Sequence, residues 1–176
     1  MNGAVPPDLI VRPLSPADSL AELTALLHRA YAPLAARGMR FLASHQDENK
    51  TRERIESGEC HVAVLRNSGR IIGTVVFVPP WAPSDGDYYR QPHVAWFQQF
   101  AVEPEFQGRG IGGLLLDVVE RRAAKTGAAE VALDTSEHAT GLIALYRRRG
   151  YEVVARESWD VTNYASVIMR KPIRSS

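Results

Sequence analysis

A single cysteine in 176 residues, Cys60, rules out an internal disulfide framework and any metal cage made of cysteines, and it suits a reducing compartment. Flanked by Glu59 and His61 at the edge of an apolar run, Cys60 lacks the base and electropositive setting of a reactive thiol, so a packing role is expected. The five histidines, at positions 28, 45, 61, 93 and 138, show no paired ligand spacing, and no metal site is expected. No apolar stretch is long enough to cross a bilayer, and Met1 to Pro7 lack the basic and apolar blocks of a leader. The reading is a cytoplasmic protein with no membrane partner. A net charge of +1, with both signs interspersed, omits the basic stripe of a nucleic-acid-binding surface, so no nucleic-acid partner is expected.

What is present is the composition of a folded domain, 45% hydrophobic and 23% charged. Residues 1–176 read as one domain, long enough to bury a sizeable core, without repeats or a linker. Residues 8 to 14 contain a short apolar run ending at Pro13, and Ser15-Pro16-Ala17-Asp18 supplies a helix cap with proline at the first helical position. Leu20, Leu23, Leu26 and Leu27 continue that helix until Pro33 and Gly38 break it, and a second helix is expected over His45 to Glu56. His61 to Arg66 and Arg70 to Val78, joined by Asn67-Ser68-Gly69, predict an antiparallel hairpin. A long aromatic loop from Trp81 to Pro92 leads to a strand over His93 to Val102. Gly110 to Thr126 predicts a helix with its apolar face at Leu114, Leu115, Val118 and Val119. A strand at Glu130 to Asp134, a helix at Ala139 to Arg149, and a strand pair at Tyr151 to Asp160 and Tyr164 to Arg170 complete the chain.

Gln107-Gly108-Arg109-Gly110-Ile111-Gly112-Gly113 lies between a strand and a helix. Glycines there permit a tight turn whose N–H groups, with the positive end of the helix dipole, cradle phosphate oxygens. A nucleoside-triphosphate loop would need Lys and Ser or Thr after the glycines, and Gly113-Leu114 supply neither. Gly108, Gly110 and Gly113 do spell the dinucleotide fingerprint, with Asp134 placed as a ribose-binding acid would be, and the letters alone do not decide. The order of elements argues against it: a hairpin precedes the loop and a strand pair ends the chain, which leaves no second mononucleotide half.

Phe100-Ala101-Val102-Glu103-Pro104-Glu105-Phe106 followed by that glycine loop resembles the acetyl-CoA motif of the GNAT acetyltransferase superfamily. Ile143-Ala144-Leu145-Tyr146-Arg147-Arg148-Arg149-Gly150-Tyr151 is similar to that family's helix ending in tyrosine before a Gly-aromatic pair. The resemblance implies an α/β (α+β) fold, a mixed, mainly antiparallel sheet of about seven strands with helices on both faces. It also implies an N-acetyltransferase moving an acetyl group directly from acetyl-CoA to a primary amine. Phe100, Ala101 and Val102 would offer backbone groups to the pantetheine arm. Gly108, Gly110, Ile111, Gly112 and Gly113 would bind the pyrophosphate, with Gln107 and Arg109 at its rim. Tyr146 would serve the leaving thiolate, and Asp134 matches a position that carries the base in several members. Glu103 competes for that role. Ala139 departs from the family, which often has a cofactor-binding asparagine there. A small-molecule amine acceptor is favoured over a protein amine because no acidic groove is evident, and a homodimer is left open. Tyr31, Met39, Phe41, Trp81, Tyr88, Tyr89, Trp159 and Tyr164 are candidates for the acceptor side. The rival readings are a silent acyl-CoA sensor of the same fold and an NAD-dependent oxidoreductase.

Overall fold

The apolar runs become seven strands and four α-helices in the computed structural model, which describes residues 3–174. Met1 and Asn2, part of the N-terminal stretch read above, lie outside the described residues, as do Ser175 and Ser176. Strand β1 (Leu9–Pro13) is followed by helix α1 (Leu20–Ala36), a 3-10 turn at Leu42–Ser44 and helix α2 (Glu48–Glu56). Then come β2 (Glu59–Leu65), β3 (Ile71–Val78), β4 (Val94–Val102), α3 (Ile111–Lys125), β5 (Glu130–Ser136), α4 (Thr140–Arg148), β6 (Glu152–Ser158) and β7 (Ala165–Pro172). The strands form one sheet in the order β1-β2-β3-β4-β5-β7-β6, and only the β4–β5 junction is parallel. The mixed, mainly antiparallel sheet expected from the sequence is therefore present, with β7 threaded between β5 and β6.

Alternation along β2 shows how both faces are covered. Val62 and Val64 pack with Leu23, Leu26 and Leu27 of α1, whereas Ala63 packs with Leu115, Leu116 and Val119 of α3. Every residue of β3 is buried, as a central strand between two helical layers must be. Each of these leucines stabilises the fold by about 1.5–3 kcal/mol through removal from water. Cys60 joins the α1 side, where burial pushes its thiol up to about 11; it packs as a neutral group.

Several boundaries differ from the sequence reading for local reasons. Ser15 to Asp18 form a turn, because Asp18 accepts from both Arg12 nitrogens, at 2.7 and 2.9 Å, and from the Ser15 N–H at 2.7 Å. The cap of α1 is Ser19, whose hydroxyl accepts from the Glu22 N–H at 3.2 Å. Pro33 sits inside α1 without ending it; the stop comes at Gly38, which takes φ +86°. Helix α2 starts at Glu48, capped by Asp47. On α3 the buried face runs through Ile111, Leu115, Leu116, Val119 and Ala123, while Leu114 is exposed.

Glu103, one residue past β4, is 4% exposed and accepts from Arg29 Nε and Nη2 of α1 at 2.8 Å each. That fork holds its carboxyl below the usual carboxylate range, with Arg70 at 3.9 Å assisting. Because the folded value is lowered, the pair stabilises above the ordinary carboxyl value of 4.5 and its contribution fades as pH falls through the folded value. Arg29 is half exposed, so Glu103→Gln should cost about 1–2 kcal/mol at neutral pH. Urea unfolding should show that difference vanish in acid; a difference that persists below the carboxyl's range would refute the ionic contribution.

Candidate functional site

The central feature of the site is the place where two parallel strands part. β4 and β5 are paired only through Val94–Glu130, Ala95–Val131 and Trp96–Ala132. Beyond Trp96, β5 continues beside β7 and β4 continues beside β3, so the sheet opens between them. A bulge drives the divergence: the β3–β4 register shifts between Thr74 and Val76, and Gln99 adopts φ +50°. A left-handed non-glycine residue is strained by about 1–3 kcal/mol and persists only when its surroundings hold it.

What holds it is an amide network anchored on Gln46. Gln46 Nε2 donates to Gln99 Oε1 and, at 2.8 Å, to Thr51 Oγ1, while its Oε1 accepts from Arg54 Nη1 at 2.7 Å. Arg54 Nε donates in turn to Gln98 Oε1 at 2.9 Å. On the outer side of β4, Tyr31 of α1 donates to the Phe100 carbonyl at 2.8 Å. The bulge is thus clamped by side chains from both α1 and α2.

Two cavities lie on either side of a wall formed by Tyr31, Phe100 and Leu142. The first, about 550 Å³, runs along Phe100, Ala101 and Val102 to the glycine loop. Gly108 and Gly110 take φ +75° and +86°, which favour glycine, and a Cβ on Gly112 would come within 3.1 Å of Phe100 Cζ. The first α-helical bond of α3 runs from the Leu114 N–H to the Gly110 carbonyl, so the N–H groups of Ile111, Gly112 and Gly113 precede the ladder. That end of the cavity is built for an anion. The side chains of Gln107 and Arg109 are used otherwise: Gln107 Nε2 donates to the Val102 carbonyl at 3.0 Å, and Arg109 lies 5.0 Å over the Phe106 ring and donates to the Glu105 carbonyl. Both brace the loop.

The second cavity, about 470 Å³, is lined by Tyr89, Asp134, Trp159 and Arg54 among others, with Tyr146 at its inner end. Asp134 Oδ1 accepts from Tyr89 at 2.8 Å and Oδ2 from Trp159 Nε1 at 3.0 Å. Burial raises its pKa, and the two hydrogen bonds and Arg54 partly offset this. Tyr146 packs against Phe97, Phe100 and Tyr151, and burial raises its phenol well above the ordinary value. It therefore remains a proton-bearing donor across the working pH range. Glu103, the other carboxylate considered, is committed to Arg29.

Of the aromatics expected on this side, Tyr31, Phe41, Tyr89, Trp159 and Tyr164 line the cavity. Met39 packs with Phe41 and Ala139, Tyr88 bonds Glu130, and Trp81 is 72% exposed. Ala139 caps α4 with no side-chain bond and is buried in that same cluster, an apolar use of a position where the family often has asparagine. Gln46, Arg54, Gln98 and Gln99 were missed by sequence reasoning. Their only signal was polar residues on an otherwise apolar strand, with partners 53 residues away in a loop and 44 residues away on a short helix. Gln46→Met removes the anchor and leaves buried partners unsatisfied, and should cost about 2–3 kcal/mol in urea unfolding; a change under 0.5 kcal/mol, on the order of a surface substitution, would show that the bulge is held by other means.

The model of the family described as "Acetyltransferase (GNAT) family" matches residues 21–151. The S-(2-succino)cysteine N-acetyltransferase of Bacillus subtilis (strain 168) is 34% identical over 160 residues, covering 90% of this chain and 91% of the relative. The S-alkylcysteine N-acetyltransferase of the same organism is 32% identical over 151 residues, covering 84% and 81%. Among solved structures, a protein from Pyrococcus horikoshii OT3 matches with a TM-score of 0.73 at 22% identity, over 94% of this chain and 99% of that one. A GNAT family acetyltransferase from Elizabethkingia anophelis with acetyl-CoA bound matches with a TM-score of 0.66 at 18% identity, over 96% and 100%. These structures share the fold.

Proposed function

The chain belongs to the GNAT acetyltransferase family and is an N-acetyltransferase, and on that premise we propose that it transfers the acetyl group of acetyl-CoA to the amine of a small molecule, S-substituted cysteines first. The observation that carries this reading is the pair of cavities meeting at the opening between β4 and β5, one ending in free N–H groups and the other in Asp134. The N–H groups from Gly108 to Gly113 hold the diphosphate, and the strand edge at Phe100 to Val102 orients the pantetheine arm. Acetyl-CoA supplies an acyl group activated as a thioester.

The protein's part is placement and proton handling. Asp134, whose pKa burial raises, takes a proton from the acceptor ammonium, and the neutral amine forms the new C–N bond as the C–S bond breaks. The Tyr146 phenol, kept protonated by burial, passes its proton to the departing sulfur and takes in its place the second proton that the nitrogen sheds as the amide forms. The products are an N-acetyl amide and the CoA thiol. The aromatic walls at Tyr89 and Trp159 exclude water from the thioester.

The direct test is thiol release from acetyl-CoA with S-methyl- and S-benzyl-cysteine. Tight acetyl-CoA binding without thiol release on any small amine would instead identify a sensor. Tyr146→Phe should lower kcat about 10- to 100-fold while the acetyl-CoA affinity is unchanged. Full activity in that variant removes Tyr146 from the reaction. Asp134→Asn should lower kcat/KM about 100-fold at neutral pH and recover partly as pH rises, because the amine then loses its proton to solvent. A wild-type rate and pH profile would discount Asp134 as the base.

A further inference from the structure

Arg54 stands apart from the other arginines near the site. It emerges from the last turn of α2 into the second cavity, and its two hydrogen bonds go to the neutral carbonyl oxygens of Gln46 and Gln98. Among the described residues no carboxylate lies within 4.0 Å of it, whereas Arg12, Arg29, Arg122, Arg149 and Arg170 each hold one. A guanidinium has five N–H donors, so most of its capacity is unspent. Burial is the largest influence on it and disfavours its charge. A half-buried guanidinium whose hydrogen bonds go only to neutral groups has donors to spare for an anion.

The rest of the cavity is short of acceptors in the same way. Gln99 Nε2 and Trp96 Nε1 are buried donors with no partner among the described residues, and both side chains line this cavity. The other lining charges do not fill the gap. Lys50 and Glu53 pair with each other, both oxygens of Asp134 are engaged by Tyr89 and Trp159, and Asp85, which also lines the cavity, forms no ion pair with Arg54. Asp134 and Arg54 influence one another electrostatically without forming an ion pair. A ligand carrying an ammonium and a carboxylate on one carbon has the charges to bridge them.

We propose that Arg54 binds the carboxylate of the acceptor, so that the substrate class is a free α-amino acid and not a polyamine or a peptide N-terminus. This rests on the acetyl-transfer reading above. The guanidinium fork, reinforced by the Gln99 amide, fixes the carboxylate, and that fix presents the α-amine to Asp134. Besides bracing Gln46 and Gln98, the residue then acts on acceptor binding.

The test compares S-benzyl-L-cysteine with its carboxamide in the thiol-release assay, using wild type, Arg54→Gln and Arg54→Lys. Wild type should favour the acid, and Arg54→Gln should raise KM for the acid by roughly 30- to 100-fold, the loss expected for charge-assisted hydrogen bonds. The amide should lose much less than the acid, since a loss common to both compounds measures only the bracing that Arg54 gives Gln46 and Gln98, and a retained thermal shift with acetyl-CoA shows that the variant is folded. Arg54→Lys, which keeps the cation and loses the fork, should retain a smaller preference for the acid. Equal use of acid and amide by wild type, or equal losses on both in Arg54→Gln, overturns the carboxylate assignment alone. Thiol release with neither compound overturns the assignment together with the amino-acid reading beneath it.

Discussion

Everything at the centre of this molecule depends on one backbone deviation. A parallel pair of strands that stayed zipped would leave no room between them, and β4 and β5 stay zipped for only three residues. The left-handed turn at Gln99 supplies the deviation, and Gln46, Thr51 and Arg54 hold it. Strain of this kind belongs where a fold must keep an opening in its own sheet. The glycine loop, the aromatic wall and the paired cavities are arranged around that opening.

The division of labour between the two faces of the sheet follows from it. Helices α3 and α4 cover one face, and the N-terminus of α3 contributes the anion-binding end. Helix α1 covers the other face and lines both cavities, with Tyr31 donating to the Phe100 carbonyl, while α2 borders the second cavity. The ion pair of Glu103 with Arg29 fastens α1 at the far end of β4. Helix α1 is therefore tied at two points to the strand it helps to part.

The fold was largely legible because its signals are local and periodic. The hairpin at Asn67-Ser68-Gly69, the glycine stop at Gly38 and the 3.6-residue spacing on α3 all depend on neighbours a few positions away. Boundaries slipped where a side chain competed for a backbone group, as Asp18 does at the start of α1. The glycine loop was legible for the same local reason. The polar network was not, since a glutamine in a loop, an arginine on a short helix and two glutamines on a strand become one unit only after the chain has folded. The bracing of the loop by the side chains of Gln107 and Arg109 was likewise not legible, since it depends on where the loop folds back.

Tyr31, Phe100 and Leu142 form the wall common to both cavities. A shared wall makes neighbouring ligands reciprocal: whatever factor the occupant of one side imposes on affinity at the other is returned in equal measure. The Tyr31 hydroxyl, bonded to the strand that separates the two sides, is the mechanical element through which such a factor would pass. Coupling between ligands, in a molecule built this way, has a partition to pass through and needs no moving domain.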